Sequence, residues 1–173
     1  MPKNYDPQEV EPQLINMWME AGAYRRSKGV GDCTVTIPPP NVTGMLHMGH
    51  ALDDTIQDTI VRYNRMKGYS TRWILGTDHA GIATQTKVDK KLKSEGISRL
   101  EIGREKFIDA CWDWTHEYGG IIVDQIKRMG CSVDFEGERF TMDPGYAKAV
   151  RKVFCDWYHD GHIYRGKRIV NWC

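Results

Sequence analysis

The passage from a strand into a helix, through a turn rich in proline and glycine, restricts the fold of this chain more than any other feature. The run CTVTIPPP alternates β-forming residues and then reaches prolines, which cannot donate to a strand ladder, so the strand should end near Ile37 or Pro38. From His47 or Met48 onward, apolar residues recur at helical spacing, and Gly68 is placed to end the helix. The sequence therefore predicts a strand, a turn and a helix in succession.

Strands and helices continue to alternate along the rest of the chain. STRWILGTD predicts a second strand buried largely on both faces, and HAGIATQTKVDKKLKSEG predicts a second helix. A long helical stretch follows, in which Gly119 and Gly120 predict a bend, and CSVDF predicts a third strand. Asp143 and Pro144 predict the start of another helix, and IYRGKRIVNW predicts a final hairpin or strand.

The alternation predicts an α/β fold, a partial doubly wound, Rossmann-like parallel sheet. PQEVEPQLINMWMEAGAY predicts an amphipathic N-terminal helix ahead of it, with Gly22 as its stop. Three or four strands are few for such a domain, and the chain ends within an apolar strand pattern. We therefore expect the 173 residues to be part of a larger protein.

Composition indicates the cellular location and the kinds of partner to expect for the chain. No apolar run approaches the roughly 18 residues of a membrane span, and the N-terminus lacks a secretory pattern, so we expect a cytoplasmic protein. With 24 basic and 23 acidic residues, bulk charge gives no sign of nucleic acid binding, so any RNA contact must be local.

The turn before the first long helix has the chemistry of an anion site. A strand that leads through a glycine-containing turn into a helix N-terminus leaves backbone N–H groups pointing outward, beside the positive end of the helix dipole. His47 and His50 are three residues apart and share one face of the first turn, where each ring can donate to a phosphate oxygen. Gly49 between them lets a planar ring or ribose approach closely. Zinc is the weaker alternative, because no third ligand is evident.

A second conspicuous stretch, GTDHAGIATQ, lies where the second strand passes into a helix. Asp78 is either the N-cap of that helix or a carboxylate that holds a substrate ammonium group. His79 is equally open to a structural and a catalytic role.

The stretches PPPNVTGMLHMGHA and GTDHAGIATQ together resemble the valyl-tRNA synthetases, which belong to the class I aminoacyl-tRNA synthetases. The likeness extends through RYNRMKG, GREKF, FTMD, YRGKR and VNWC. It implies ATP-dependent activation of L-valine to valyl-adenylate, with Mg²⁺, and transfer to the valine tRNA. It also implies that residues 1–32 form a helical extension. Residues 33–173 would then be the N-terminal half of the catalytic domain, truncated before the editing insertion.

The resemblance also assigns roles to individual residues. It implies that His47 and His50 contact the phosphates of ATP in the catalytic step, and that the nucleotide lies against Gly49 and the turn. The ATP-binding residues implied in this way are Thr43, Gly44, His47, Gly49 and His50. The valine pocket would be lined by Pro38, Pro39 and Asn41, with Asp78 as the partner of the ammonium group.

Two other hypotheses remain open at this point. One is a catalytically inactive module that binds a nucleotide or a partner, and the other is an isoleucine-specific relative, against which the NVTG turn counts. KVDKKLK is interpreted as a charged helix face and not as a substitute for the second signature loop of the family. Because truncation would expose sheet edges, we also expect the fragment to self-associate through them.

Overall fold

The protein is described here by a computed structural model that covers residues 4–171. Its regular elements, in chain order, are α1 (Pro7–Glu20), β1 (Asp32–Thr36), α2 (Met48–Met66), β2 (Ser70–Thr77), α3 (Gly81–Ser94), α4 (Arg99–Arg128), β3 (Asp134–Phe140) and α5 (Pro144–His159). The chain divides into two compact units, one ending at Phe140 and the other beginning at Thr141. No helix within residues 4–171 is both long and apolar enough to cross a membrane.

The three strands form a parallel sheet in the order β1-β2-β3. Asp32 pairs with Ser70 at the start of β1, and the ladder runs on to Thr36 and Ile74. The ladder between β2 and β3 is interrupted, because it pairs Ile74 with Asp134 and resumes only at Gly76 and Arg139. All carboxyl ends therefore lie at one edge of the sheet, which confirms the predicted parallel α/β fold.

The core lies on one face of this sheet. Trp73 and Leu75 project from that face of β2 and are completely buried against Val61 of α2 and Ile122 and Ile126 of α4. The side chains that alternate with them in β2 are only half-buried. The prediction that STRWILGTD is buried largely on both faces is therefore wrong, because α2 and α4 cover the same face.

Several predicted helix ends are confirmed. Gly22 and Gly68 both adopt positive φ, of 63° and 83°, just after α1 and α2. The Asp143 carboxylate accepts a hydrogen bond from the backbone N–H of Tyr146 at 2.8 Å, and Pro144 is the first residue of α5. These caps follow directly from the residue types at those positions.

The bend and the third strand differ from the sequence prediction. Helix α4 continues through Gly119 and Gly120 and is broken instead at Gly103, where φ is 81° and ψ is 172°. The strand predicted in CSVDF begins only at Asp134, because the backbone N–H of Ser132 donates to the Asp58 carboxylate and not to a neighbouring strand.

The predicted final hairpin or strand is also wrong over the part that the structure describes. Residues 163–171 form neither helix nor strand, and Ile169 is fully exposed. Trp172, the last residue of the predicted strand, lies outside the described residues. An apolar run makes a strand only where another strand can pair with it, which a single sequence does not reveal.

Candidate active site

The turn between β1 and α2 is fixed by the sheet and by α4. After β1 ends, the N–H of Val42 donates to the carbonyl of Asp78 at 3.0 Å, and the N–H of Asp78 donates to the carbonyl of Pro40 at 2.8 Å. From α4, the indole N–H of Trp114 donates to the carbonyl of Val42 at 2.8 Å. The turn is thus tied to the carboxyl end of β2 and held rigidly at that edge of the sheet.

The two histidines cap α2 reciprocally. His47 is the N-cap, and its Nδ1 accepts the backbone N–H of Gly49 at 3.1 Å. The Nδ1 of His50 accepts the backbone N–H of His47, also at 3.1 Å. The prediction that the N–H groups of this turn point outward is therefore wrong for these two, because the imidazoles already occupy them.

This cap determines which ring nitrogen is available. Because each Nδ1 accepts a backbone N–H, the proton of the neutral imidazole lies on Nε2, which leaves one donor per ring. Burial lowers the pKa of His50, the nearby His47 lowers it further, and Asp53 partly opposes them. The ring centroids are 3.8 Å apart. Two adjacent N–H donors are thus held at the start of the helix.

Gly49 is required by the same arrangement. A Cβ atom built at this position would lie 2.9 Å from Cε1 of His47, closer than real side chains approach. Any larger residue would displace the His47 ring and its cap. This steric requirement is a second reason for glycine here, besides the close approach of a ligand that the sequence suggests.

The histidines open onto a cleft of about 620 Å³, a size typical of small-molecule sites. It is lined by Pro38, Pro39, Pro40, Asn41, Thr43, Gly44, Met45, Leu46, His47, Gly49, His50, Asp53, Asp54 and Lys87. Eight of the nine residues singled out by sequence therefore meet in one place. Pro38 and Pro39 are exposed to solvent, whereas Pro40 is buried.

The ninth residue, Asp78, lies beside the cleft and is not among its lining residues. Its backbone forms a parallel bridge with Asn41. Its carboxylate accepts the N–H of Ala80 at 3.3 Å and lies 3.4 Å from Nδ1 of His79. Asp78 is not the N-cap of α3, because that position belongs to Ala80, which has a left-handed φ of 51° and no side-chain cap.

Six cleft residues were not singled out by sequence: Pro40, Met45 and Leu46 within the same segment, and Asp53, Asp54 and Lys87 beyond it. Asp54 is only 3% exposed, and its Oδ2 has no hydrogen-bond partner. Burial raises its pKa to about 6, with further increases from the charges of Asp53 and Asp58. The apolar spacing that predicts α2 runs instead through Leu52 and Ile56, and both side chains are more than half exposed.

Among the side chains of residues 4–171, no three His, Cys, Asp or Glu converge to hold a metal ion. Two carboxylates, those of Asp53 and Asp54, reach the cleft. Mg²⁺ keeps several waters and is usually bound by one or two carboxylates together with substrate phosphates, so this donor set is compatible with a magnesium-bound nucleotide.

Comparison with known proteins assigns the class. The sequence model of the tRNA synthetases class I (I, L, M and V) matches residues 13–173, so the chain belongs to that family. It is 52% identical over 173 residues to a valine–tRNA ligase of Fusobacterium nucleatum, covering 99% of this chain and 20% of that protein. Valine–tRNA ligases of Porphyromonas gingivalis and Thermotoga maritima are each 54% identical, over 97% and 98% of this chain.

The chain spans about one fifth of the length of these relatives, 20%, 19% and 20% respectively. Among solved structures, it is similar to the LeuRS of Agrobacterium radiobacter K84, which was solved in a ternary complex with tRNA and LeuAMS. The TM-score is 0.72 at 22% identity, over 93% of this chain and 19% of that one. At this identity the likeness confirms the fold.

Proposed function

We propose that the protein to which this chain belongs activates L-valine with ATP, forming valyl-adenylate and pyrophosphate, and transfers valine to its tRNA. The observation that carries this proposal is the pair of reciprocally capped histidines, which line the cleft and use only Nδ1 in their caps. The names of the relatives, all valine–tRNA ligases at 50 to 54% identity, support the choice of amino acid.

The nucleotide fits the α2 side of the cleft. His47 and His50 donate to phosphate oxygens near the reacting α-phosphorus, where negative charge redistributes during the transfer. Thr43, Gly44 and Gly49 form the surface against which the nucleotide lies. Mg²⁺ enters with ATP and is held mainly by its phosphates, with the Asp53 carboxylate in reach of the same cleft.

Valine fits the side of the cleft formed by the prolines. The exposed rings of Pro38 and Pro39 give a preset apolar wall for a branched aliphatic side chain. Asn41 contributes a polar edge, and its bridge to Asp78 brings a carboxylate to the same end of β2, where it can bind the α-ammonium group. With both substrates held in this way, the rate of attack by the valine carboxylate on the α-phosphorus depends largely on how the two groups are positioned.

ATP–pyrophosphate exchange tests this proposal in the natural-length protein. We expect exchange that depends on valine and is much weaker with isoleucine. Asp78→Asn should raise KM for valine by about 10- to 100-fold, because a buried ammonium group loses its charged partner. Binding of ATP without exchange, whichever amino acid is added, would instead indicate the inactive module.

A further inference from the structure

Lys87 is the only lysine of the described chain that lines the cleft. It lies on α3 and lines the same cleft as His47, the N-cap of α2, and His50. The sequence assigns it to a charged helix face, and Lys87, Lys90, Lys91 and Lys93 are all exposed. Lys87 is itself exposed to solvent and lines the cleft, whereas its neighbour Val88 is buried.

The lysines that follow in the same helix behave differently. Lys91 places its ammonium 6.0 Å from the centroid of the Trp114 ring, and Lys93 forms an ion pair with Asp89 at 2.7 Å. Lys90 is exposed and lies off the cleft. Lys87 makes no ion pair with any carboxylate of residues 4–171, so its charge is available to a ligand.

The carboxylates of the cleft do not form an ion pair with the ammonium group of Lys87. The amide of Gln57 donates to the Asp53 carboxylate at 2.9 Å. Asp54 is 3% exposed, burial raises the pKa of its carboxyl to about 6, and its Oδ2 has no hydrogen-bond partner among the described residues. The cleft is thus bounded by two imidazole donors on α2 and by one unpaired ammonium on α3.

We propose, on the basis of the function proposed above, that Lys87 binds the β- and γ-phosphates of ATP and stabilises pyrophosphate as it leaves. In activation, a carboxylate oxygen of valine bonds to the α-phosphorus while the bond from that phosphorus to the α–β bridging oxygen breaks. The bridging oxygen keeps the electron pair, so negative charge grows on pyrophosphate. The Lys87 ammonium balances this charge and retains its proton throughout. A compact point charge on a flexible stem suits this task.

Lys87→Met in the natural-length protein tests the assignment. Methionine keeps the unbranched stem and the helix propensity of lysine while removing its charge. We expect Kd for ATP and KM for pyrophosphate in the exchange reaction to rise about tenfold, as for the loss of one charge-assisted contact. Kd for AMP should be unchanged, and Lys87→Arg should restore most of the affinity for ATP. Lys90→Met, which removes the same charge from an exposed position of the same helix, is the matched control.

Two results would overturn the assignment. One is equal ATP and pyrophosphate constants in Lys87→Met and Lys90→Met. The other is equal weakening of ATP and AMP, which would place Lys87 away from the leaving phosphates. ATP and AMP affinities are measured by calorimetry without any turnover. If the wild-type protein shows no exchange with valine, the proposed function fails, while the calorimetric comparison still decides the role of Lys87.

Discussion

The two halves of α2 use polar side chains in opposite ways. In the first turns, His47 and His50 satisfy the helix end with one ring nitrogen and keep the other free for the cleft. Further along, the Asp58 carboxylate accepts the N–H and hydroxyl of Ser132 at 3.0 and 2.5 Å, and also the guanidinium of Arg62 at 2.8 Å. The side chains that keep a hydrogen-bonding atom free therefore lie at the end of the helix that lines the cleft. The side chain whose hydrogen bonds are all made within the protein lies further along, where the helix has a structural role.

The largest effect should follow from removing a donor on the ligand side. His50→Ala should lower the rate of valine-dependent exchange by about 10²- to 10³-fold, about 2.7 to 4 kcal/mol of transition-state stabilisation. His50→Asn separates capping from catalysis, because its side-chain oxygen can still accept the N–H of His47. If His50→Asn restores the wild-type rate, the imidazole matters only as a cap.

A change on the structural side should affect stability instead. Asp58→Ala leaves the donors of Ser132 without their acceptor in a largely buried position, which should lower the free energy of unfolding by about 2 to 3 kcal/mol. Urea denaturation measures this loss. Below the unfolding transition, KM for ATP should remain within about twofold of wild type. A large rise in KM without loss of stability would remove the distinction between the two halves.

Asp54 lies between these two parts of α2, and its substitution should produce the smallest of the three expected effects, a change in stability. Its folded pKa, about 6, is above the ordinary value of 3.8, so the folded state binds the proton more tightly than the unfolded chain. The resulting destabilisation is fully present above about pH 6 and disappears as pH falls toward 3.8. Asp54→Asn should therefore stabilise the protein by about 1 to 2 kcal/mol at pH 8 and by little at pH 4.

Urea denaturation of both forms between pH 4 and pH 8 checks the Asp54 prediction. The difference in stability between Asp54→Asn and wild type should grow as pH rises from 4 to 6 and then level off. A difference that stays constant over this range would mean that Asp54 finds a partner in solution.

The sequence predicts the order of elements well where local signals are strong. Gly22, Gly68, Asp143 and Pro144 set helix ends through their own backbone and side-chain chemistry, and they do so in the structure. The third strand and the final segment were predicted less well. Ser132 bonds to a side chain 74 residues away, and residues 163–171 lack a paired strand within the described chain. Both outcomes depend on tertiary partners.

The candidate site was also only partly predictable. Residues 38–50 are continuous in sequence, so the cleft wall they form could be read from one segment. Asp54 is buried and Lys87 is exposed, and hydrophobic periodicity gives no indication of which polar residues of a helix line a cleft. The exposed Leu52 and Ile56 show the same limit, because apolar spacing identified the helix but not its buried side.

A crystal structure of the natural-length protein with a non-hydrolysable ATP analogue tests the central claim most directly. We predict that Nε2 of both His47 and His50 lies within about 3.2 Å of phosphate oxygens, with both Nδ1 atoms still accepting their backbone N–H groups. A triphosphate bound away from the start of α2, or rings whose Nε2 atoms turn from it, would contradict the account.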